Sequence, residues 1–208
     1  MKTSKPTLAE LEDPSQFDVI ADVAHSDVIP FVRQHLYHQS WVTTLYWLLN
    51  VAAVGVIYIF WRRSGLPILD AFPQVCLGMA AGYVLLLPIH EHLHGLAYRL
   101  VGARRVKVRY NPNRFTALCE APGAVVSGGE FIFVCLTPIV LLNPLLAVLA
   151  FTLTKAKLAL MSAGALLLHT GGCSGDVGLV NFVWQHRECR TFTVDDADQQ
   201  RARFFRAC

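Results

Sequence analysis

The stretch Pro88-Ile89-His90-Glu91-His92-Leu93-His94-Gly95 places three imidazoles and a carboxylate directly after the apolar run GMAAGYVLLL. On a helix turning about 100° per residue, His90 and His94 lie about 40° apart on one face. Glu91 flanks that face, and His92 points nearly the opposite way. The H-E-x-x-H spacing therefore offers two imidazoles at i and i+4 for one Zn²⁺, with a glutamate in reach of a water on the metal. Gly95 leaves room for close approach by another helix. Ionisable groups are costly inside a bilayer unless paired, metal-bound or hydrated, so a cluster of this kind in a span marks a functional site.

A zinc site needs at least a third protein ligand. The later stretch LLLHTGGCSGDVGLVNF supplies His169, Cys173 and Asp176 at i, i+4 and i+7 on one face of a helix that Gly171, Gly172 and Gly175 loosen. Asp176 leads, because it is the one carboxylate outside the motif within an apolar run. It also lies about twenty residues, or roughly 27 to 30 Å of helix, from the outer end of its run, as the histidine motif does from the outer end of its own. His169 lies two turns, roughly 10 Å, farther out, and Cys173 is a soft ligand that also serves as a small packing residue.

The elements that must position these groups are membrane spans. The chain of 208 residues is 54% hydrophobic and 16% charged, with a mean hydropathy of +0.42, too apolar for an ordinary soluble domain. Four runs approach the roughly twenty apolar residues that a bilayer requires: Trp41 to Trp61, Phe72 to Leu100, Phe131 to Thr154 and Leu158 to Trp184. The first is free of charge, and its tryptophans Trp41, Trp47 and Trp61 suit the headgroup level. The third carries Pro138 and Asn143-Pro144, where a missing backbone donor kinks the helix and Asn143 ties helices together or meets a substrate carbonyl. No cleavable signal peptide is expected before Trp41. The six cysteines show no CxxC pair, and three fall in apolar runs, so reduced thiols are expected.

Charge sets the expected orientation. Of the 18 Lys and Arg, Arg62, Arg63, Lys155 and Lys157 lie in the first and third connections, and the other 14 lie in the two tails and the second connection. With four spans those three segments share one face, which the positive-inside rule makes cytoplasmic. The net charge of +3 follows from this topology and does not point to nucleic acid. In the second connection, apolar and basic residues alternate over Arg105 to Tyr110, Asn111-Pro112-Asn113 marks a turn, and Arg114 to Cys119 returns as a partner strand. Such a basic hairpin suits anionic lipid, or offers an edge for an extended peptide.

The expected fold is thus an all-α multi-pass membrane protein with about four transmembrane helices and a small cytoplasmic β-hairpin between the second and third. A cytoplasmic tail over residues 1–40 precedes a membrane-embedded domain over 41–185, and a second cytoplasmic tail covers 186–208.

The HEHLHG motif ending an apolar helix, the strand-like loop APGAVVSGGEF, the proline-broken third run and the HTGGCSGD motif together resemble the "putative zincin peptidase" family of multi-pass membrane proteins, over roughly His90 to Trp184. More remotely, the layout is similar to the site-2 protease class of intramembrane metallopeptidases, which pair HExxH on one span with an aspartate on a later one. This chain departs from that class in having Ser174-Gly175-Asp176-Val177 where an N-P-D-G-type sequence stands. The resemblance implies that the membrane domain is zincin-like, that His90 and His94 are zinc ligands, that Glu91 is the general base, and that Asp176 is the third ligand.

The function expected is that of a zinc-dependent metalloendopeptidase acting on a peptide or membrane-protein substrate in the lipid bilayer of the cytoplasmic (inner) membrane. The alternative is a non-proteolytic membrane metal-binding or transport protein. That reading needs a path lined by more polar residues than Asn50, Asn143 and His169, and it has no use for Glu91. The orientation is checked by reporter fusions at Asn113 and at the carboxyl terminus, which should both give a cytoplasmic signal. Opposite signals would place an odd number of spans between them and remove the depth argument for Asp176.

Overall fold

The computed structural model describes residues 5–111, 116–196 and 199–208. In chain order, α1 (Leu8–Leu11), β1 (Asp18–Ala24) and α2 (Val28–Tyr37) precede the long helices α3 (Trp41–Ser64) and α4 (Ile68–Leu100). Strands β2 (Lys107–Asn111), β3 (Thr116–Glu120) and β4 (Val126–Ser127) lead to α5 (Gly128–Thr152), and α6 (Ala156–Gly172) and α7 (Ser174–Gln185) are followed by β5 (Arg190–Asp196) and β6 (Arg201–Ala207). Four helical stretches are long and apolar enough to cross a membrane: Trp41–Ser64, Ile68–Leu100, Gly128–Thr152 and Ala156–Gln185.

Local chemistry explains where α3 begins and ends. The Ser40 hydroxyl accepts from the Val42 and Thr43 amides while the Thr43 hydroxyl accepts from the Ser40 amide, a reciprocal cap that satisfies otherwise orphaned donors. At the other end Gly65 takes a left-handed conformation (φ 66°), and Arg62 and Arg63 face the negative end of the helix dipole.

The chain divides into two compact units, and the division passes through α4 between His90 and Glu91. The unit comprising Gln39–His90 and Pro138–Ser174 is helical. Its core includes Phe60, Ala71, Ala150, Ala159, Leu160 and Ala163, while Leu48, Val51, Leu69, Val84, Leu145 and Val148 turn outward. Exposed aliphatic side chains on helices of this length suit lipid contact. Helices α4 and α6 approach so closely that a Cβ on Gly164 would meet the Val75 backbone, as small residues allow in membranes.

The other unit, Met1–His38, Glu91–Thr137 and Gly175–Cys208, holds the strands. Helix content dominates as expected, but residues 1–40 and 186–208 are more than tails. β1, β6, β5 and β4 form a four-stranded antiparallel sheet in that order, closed over a core of Leu11, Phe192, Val194 and Phe205. The expected hairpin is present as β2 paired with β3, Lys107 opposite Glu120 through Asn111 opposite Thr116. Its expected turn residues Pro112 and Asn113, with Arg114, lie outside the described residues.

Two further expectations are corrected. The fourth apolar run is not one continuous helix: α6 stops at Gly172, and the Cys173 amide turns back to the Gly171 and His169 carbonyls before α7 begins. The glycines flanking Cys173 hold helix poorly, which is the physical reason. Nor are all six cysteines thiols. The β5–β6 register sets Arg190 opposite Ala207, bringing the adjoining Cys189 and Cys208 to a Cα separation of 4.7 Å, where they form a disulfide.

Asp195 on β5 ties the sheet to the chain after the hairpin. Its Oδ2 accepts from the Ala121 amide at 2.8 Å, and its backbone carbonyl accepts from Gly123 at 3.0 Å. Burial raises its pKa to about 6, with the nearby Glu120 charge adding to the rise and the Ala121 hydrogen bond opposing it. A carboxyl whose folded pKa lies above its unfolded value favours folding while protonated. This contribution is therefore complete below the unfolded pKa near 4 and is lost as pH rises through about 6. Asp195→Asn keeps the acceptor oxygen and removes the titration. In detergent, thermal unfolding of the wild type should lose stability relative to this variant between about pH 4 and 6; parallel curves across that window would refute the assignment.

Candidate metal centre

Helix α4 carries the whole H-E-x-x-H stretch, so the spacing read from the sequence is realised as helix. Glu91 and His94 are 5% and 6% exposed, whereas His92 is exposed on the other side. The face that holds His94 is the buried one, as the 100° periodicity requires.

In the unit that contains Glu91, His94 is engaged at both ring nitrogens. Nδ1 lies 2.9 Å from the Val134 carbonyl on α5, and Nε2 lies 3.2 Å from Oδ1 of Asp176 in the first turn of α7. The Val134 carbonyl is available because the residue four positions on is Pro138, which has no N–H to close the helical bond. A carbonyl only accepts, so His94 Nδ1 holds a proton, and in the neutral ring Nε2 turns a lone pair toward the carboxylate. Two such acceptors repel each other unless a cation lies between them, either a proton or a metal. Ligand atoms about 2.0–2.1 Å from a tetrahedral Zn²⁺ stand roughly 3.3 Å apart, so the donor set and its spacing fit that ion.

In the helical unit, ligand atoms of His90, His169 and Cys173 all lie within 4.8 Å of one another. His90 Nδ1 is 3.1 Å from His169 Nε2, His169 Nδ1 is 2.7 Å from Asn143 Oδ1, and Cys173 Sγ is 3.9 Å from that same Nδ1. His169 is 6% exposed and Cys173 fully buried.

The structure thus brings Asp176 to His94, and His169 with Cys173 to His90. His169, ranked behind Asp176 on depth in the sequence, is a close neighbour of the motif because α6 ends only one turn beyond it. Asn143, read there as a helix tie or a substrate contact, ties α5 to α6 by its hydrogen bond with His169. The Val134 carbonyl escaped sequence reasoning, and Pro138, four residues past it, was the available signal.

Gly95 accommodates a strand rather than a helix. A Cβ at Gly95 would lie 3.3 Å from Val106 and 3.7 Å from Cys119 Sγ, so the base of the hairpin leans on α4 one residue past His94. Burial pushes the Cys119 thiol up to about 12, with the charges of Glu91, Asp195 and Glu120 adding to the rise, so it stays protonated and inert.

A family model described as "Putative zincin peptidase" matches residues 83–190, a segment that contains the H-E-x-x-H stretch, Asn143, His169 and Asp176. No curated protein and no solved structure matches the chain.

Proposed function

The chain belongs to this zincin peptidase family, and on that premise we propose that it is a membrane-embedded zinc metalloprotease in which His90, His94 and Asp176 hold the ion and Glu91 is the general base. The observation that carries the reading is the His94 Nε2–Asp176 Oδ1 approach of 3.2 Å, with the His94 proton held away at Nδ1. His90 adds its imidazole from the preceding turn of the same helix.

A bound Zn²⁺ supplies a Lewis acid for the scissile carbonyl and lowers the pKa of a water toward about 7. Glu91 takes the proton of the attacking water and delivers it to the leaving amine nitrogen as the C–N bond breaks. Its 5% exposure favours proton transfer over loss to bulk solvent. The substrate enters as an extended strand, because a membrane helix keeps its peptide bonds internally hydrogen-bonded and must unwind before attack. The β2–β3 hairpin, resting beside Gly95, offers an edge for such a strand.

The protein sits in the cytoplasmic (inner) membrane with both termini and the hairpin cytoplasmic, on the support of the lysine and arginine distribution. A cytoplasmic carboxyl terminus stands in a reducing compartment, and the Cys189–Cys208 disulfide counts against that orientation.

Glu91→Gln separates enzyme from metal binder. It should leave zinc content nearly intact and lower cleavage of transmembrane peptides by about 10²- to 10⁴-fold, the usual weight of a general base. Asp176→Asn should reduce zinc and cleavage together. A Glu91→Gln protein that cleaves at the wild-type rate contradicts the hydrolytic mechanism.

A further inference from the structure

Both imidazoles of the motif must present a lone pair at the same time, and each needs an acceptor at its other ring nitrogen to do so. A ligating histidine held this way has its tautomer and ring orientation fixed before the metal arrives. For His94 the acceptor is the Val134 carbonyl. For His90 the neighbour at Nδ1 is another histidine, whose protonation is not fixed by its residue type.

We propose that Asn143 and His169 are positioning residues that form a relay locking His90 with its proton on Nδ1, so that Nε2 presents its lone pair to the zinc; this rests on the metal site proposed above. The relay starts at Asn143 Oδ1, which can only accept, so the proton in the 2.7 Å contact belongs to His169 Nδ1. A neutral imidazole carries one N–H, which leaves His169 Nε2 as an acceptor. The 3.1 Å contact between His169 Nε2 and His90 Nδ1 then needs a donor, and His90 Nδ1 supplies it. Each hydrogen-bonding atom along the path is satisfied with both rings neutral, the condition that minimises their cost in an apolar bundle.

Three helices contribute one residue each: Asn143 from α5, His169 from the last turn of α6 and His90 from α4. Asn143 precedes Pro144, which, like Pro138, removes a backbone donor from α5. Cys173 is not needed for the relay. Its sulfur lies 3.9 Å from the His169 Nδ1 that Asn143 already engages, so it packs against the relay without completing it.

The test uses the purified full chain in detergent. Histidine ¹³C/¹⁵N NMR of the metal-free protein, with the His90 signal assigned by its loss in His90→Asn, should show the Nδ1–H tautomer. In zinc competition against a chelator, His169→Leu and Asn143→Leu should weaken affinity by about 10- to 100-fold. His169→Gln, whose side-chain oxygen can accept from His90 and whose amide can donate to Asn143, should restore most of it. Cys173→Ala should have no effect. An Nε2–H tautomer at His90 overturns the relay, as does a Cys173→Ala loss equal to that of His169→Leu, which would put the ion among His90, His169 and Cys173. The tautomer measurement needs no substituted relay residue and separates this claim from the one it rests on. The Nδ1–H form in a chain that takes up no zinc would support the relay and refute the zinc assignment.

Discussion

A single missing proton donor organises the candidate centre. Pro138 has no N–H, so the Val134 carbonyl one turn earlier lacks its usual helical partner, and an unpaired carbonyl in apolar surroundings is costly. His94 Nδ1 meets it at 2.9 Å. That bond keeps a proton on Nδ1, so in the neutral ring the lone pair of Nε2 is aimed at Asp176. A backbone defect in one helix becomes a lone pair with a defined direction on another. Remove the proline and the carbonyl returns to its own helix, leaving His94 free to choose the other tautomer.

The same accounting recurs at two other enclosed polar groups. Asn181 is fully buried, and its amide donates to the His35 and His38 carbonyls at 2.7 and 3.0 Å, closing the end of α2. The Tyr46 hydroxyl donates to the Gly171 carbonyl at 2.8 Å, where α6 is about to end. Such bonds give partners to backbone carbonyls at the ends of α2 and α6 in a chain that is 54% hydrophobic.

The elements with a strong local pattern were legible in the sequence. The four apolar runs, the H-E-x-x-H spacing, the outward side of His92 and a hairpin formed within Arg105 to Cys119 each follow from a local pattern within a few residues. What escaped depends on partners far apart in the chain. β1 pairs with β6 across nearly the whole sequence, Asp18 opposite Arg206, and a seven-residue strand with mixed burial leaves no alternation to detect. The Cys189–Cys208 bond was hidden for the same reason, since only the β5–β6 register brings the two together. The break at Cys173 was half legible: the glycines signalled weak helix but not where the chain would cap itself. The contact of His169 with His90 was not legible, because depth along an ideal continuous helix counts turns and takes no account of which neighbouring helix a side chain meets.

The proposed zinc site lies where the lone pair of His94 meets the Asp176 carboxylate. X-ray absorption at the zinc edge of the purified wild-type protein tests it most directly, because nitrogen and oxygen ligands stand at about 2.0–2.2 Å and sulfur at about 2.3 Å. A first coordination sphere of nitrogen and oxygen alone, with two imidazoles in its outer scattering, is the result expected. A sulfur ligand at about 2.3 Å would contradict it by placing the ion with Cys173 instead.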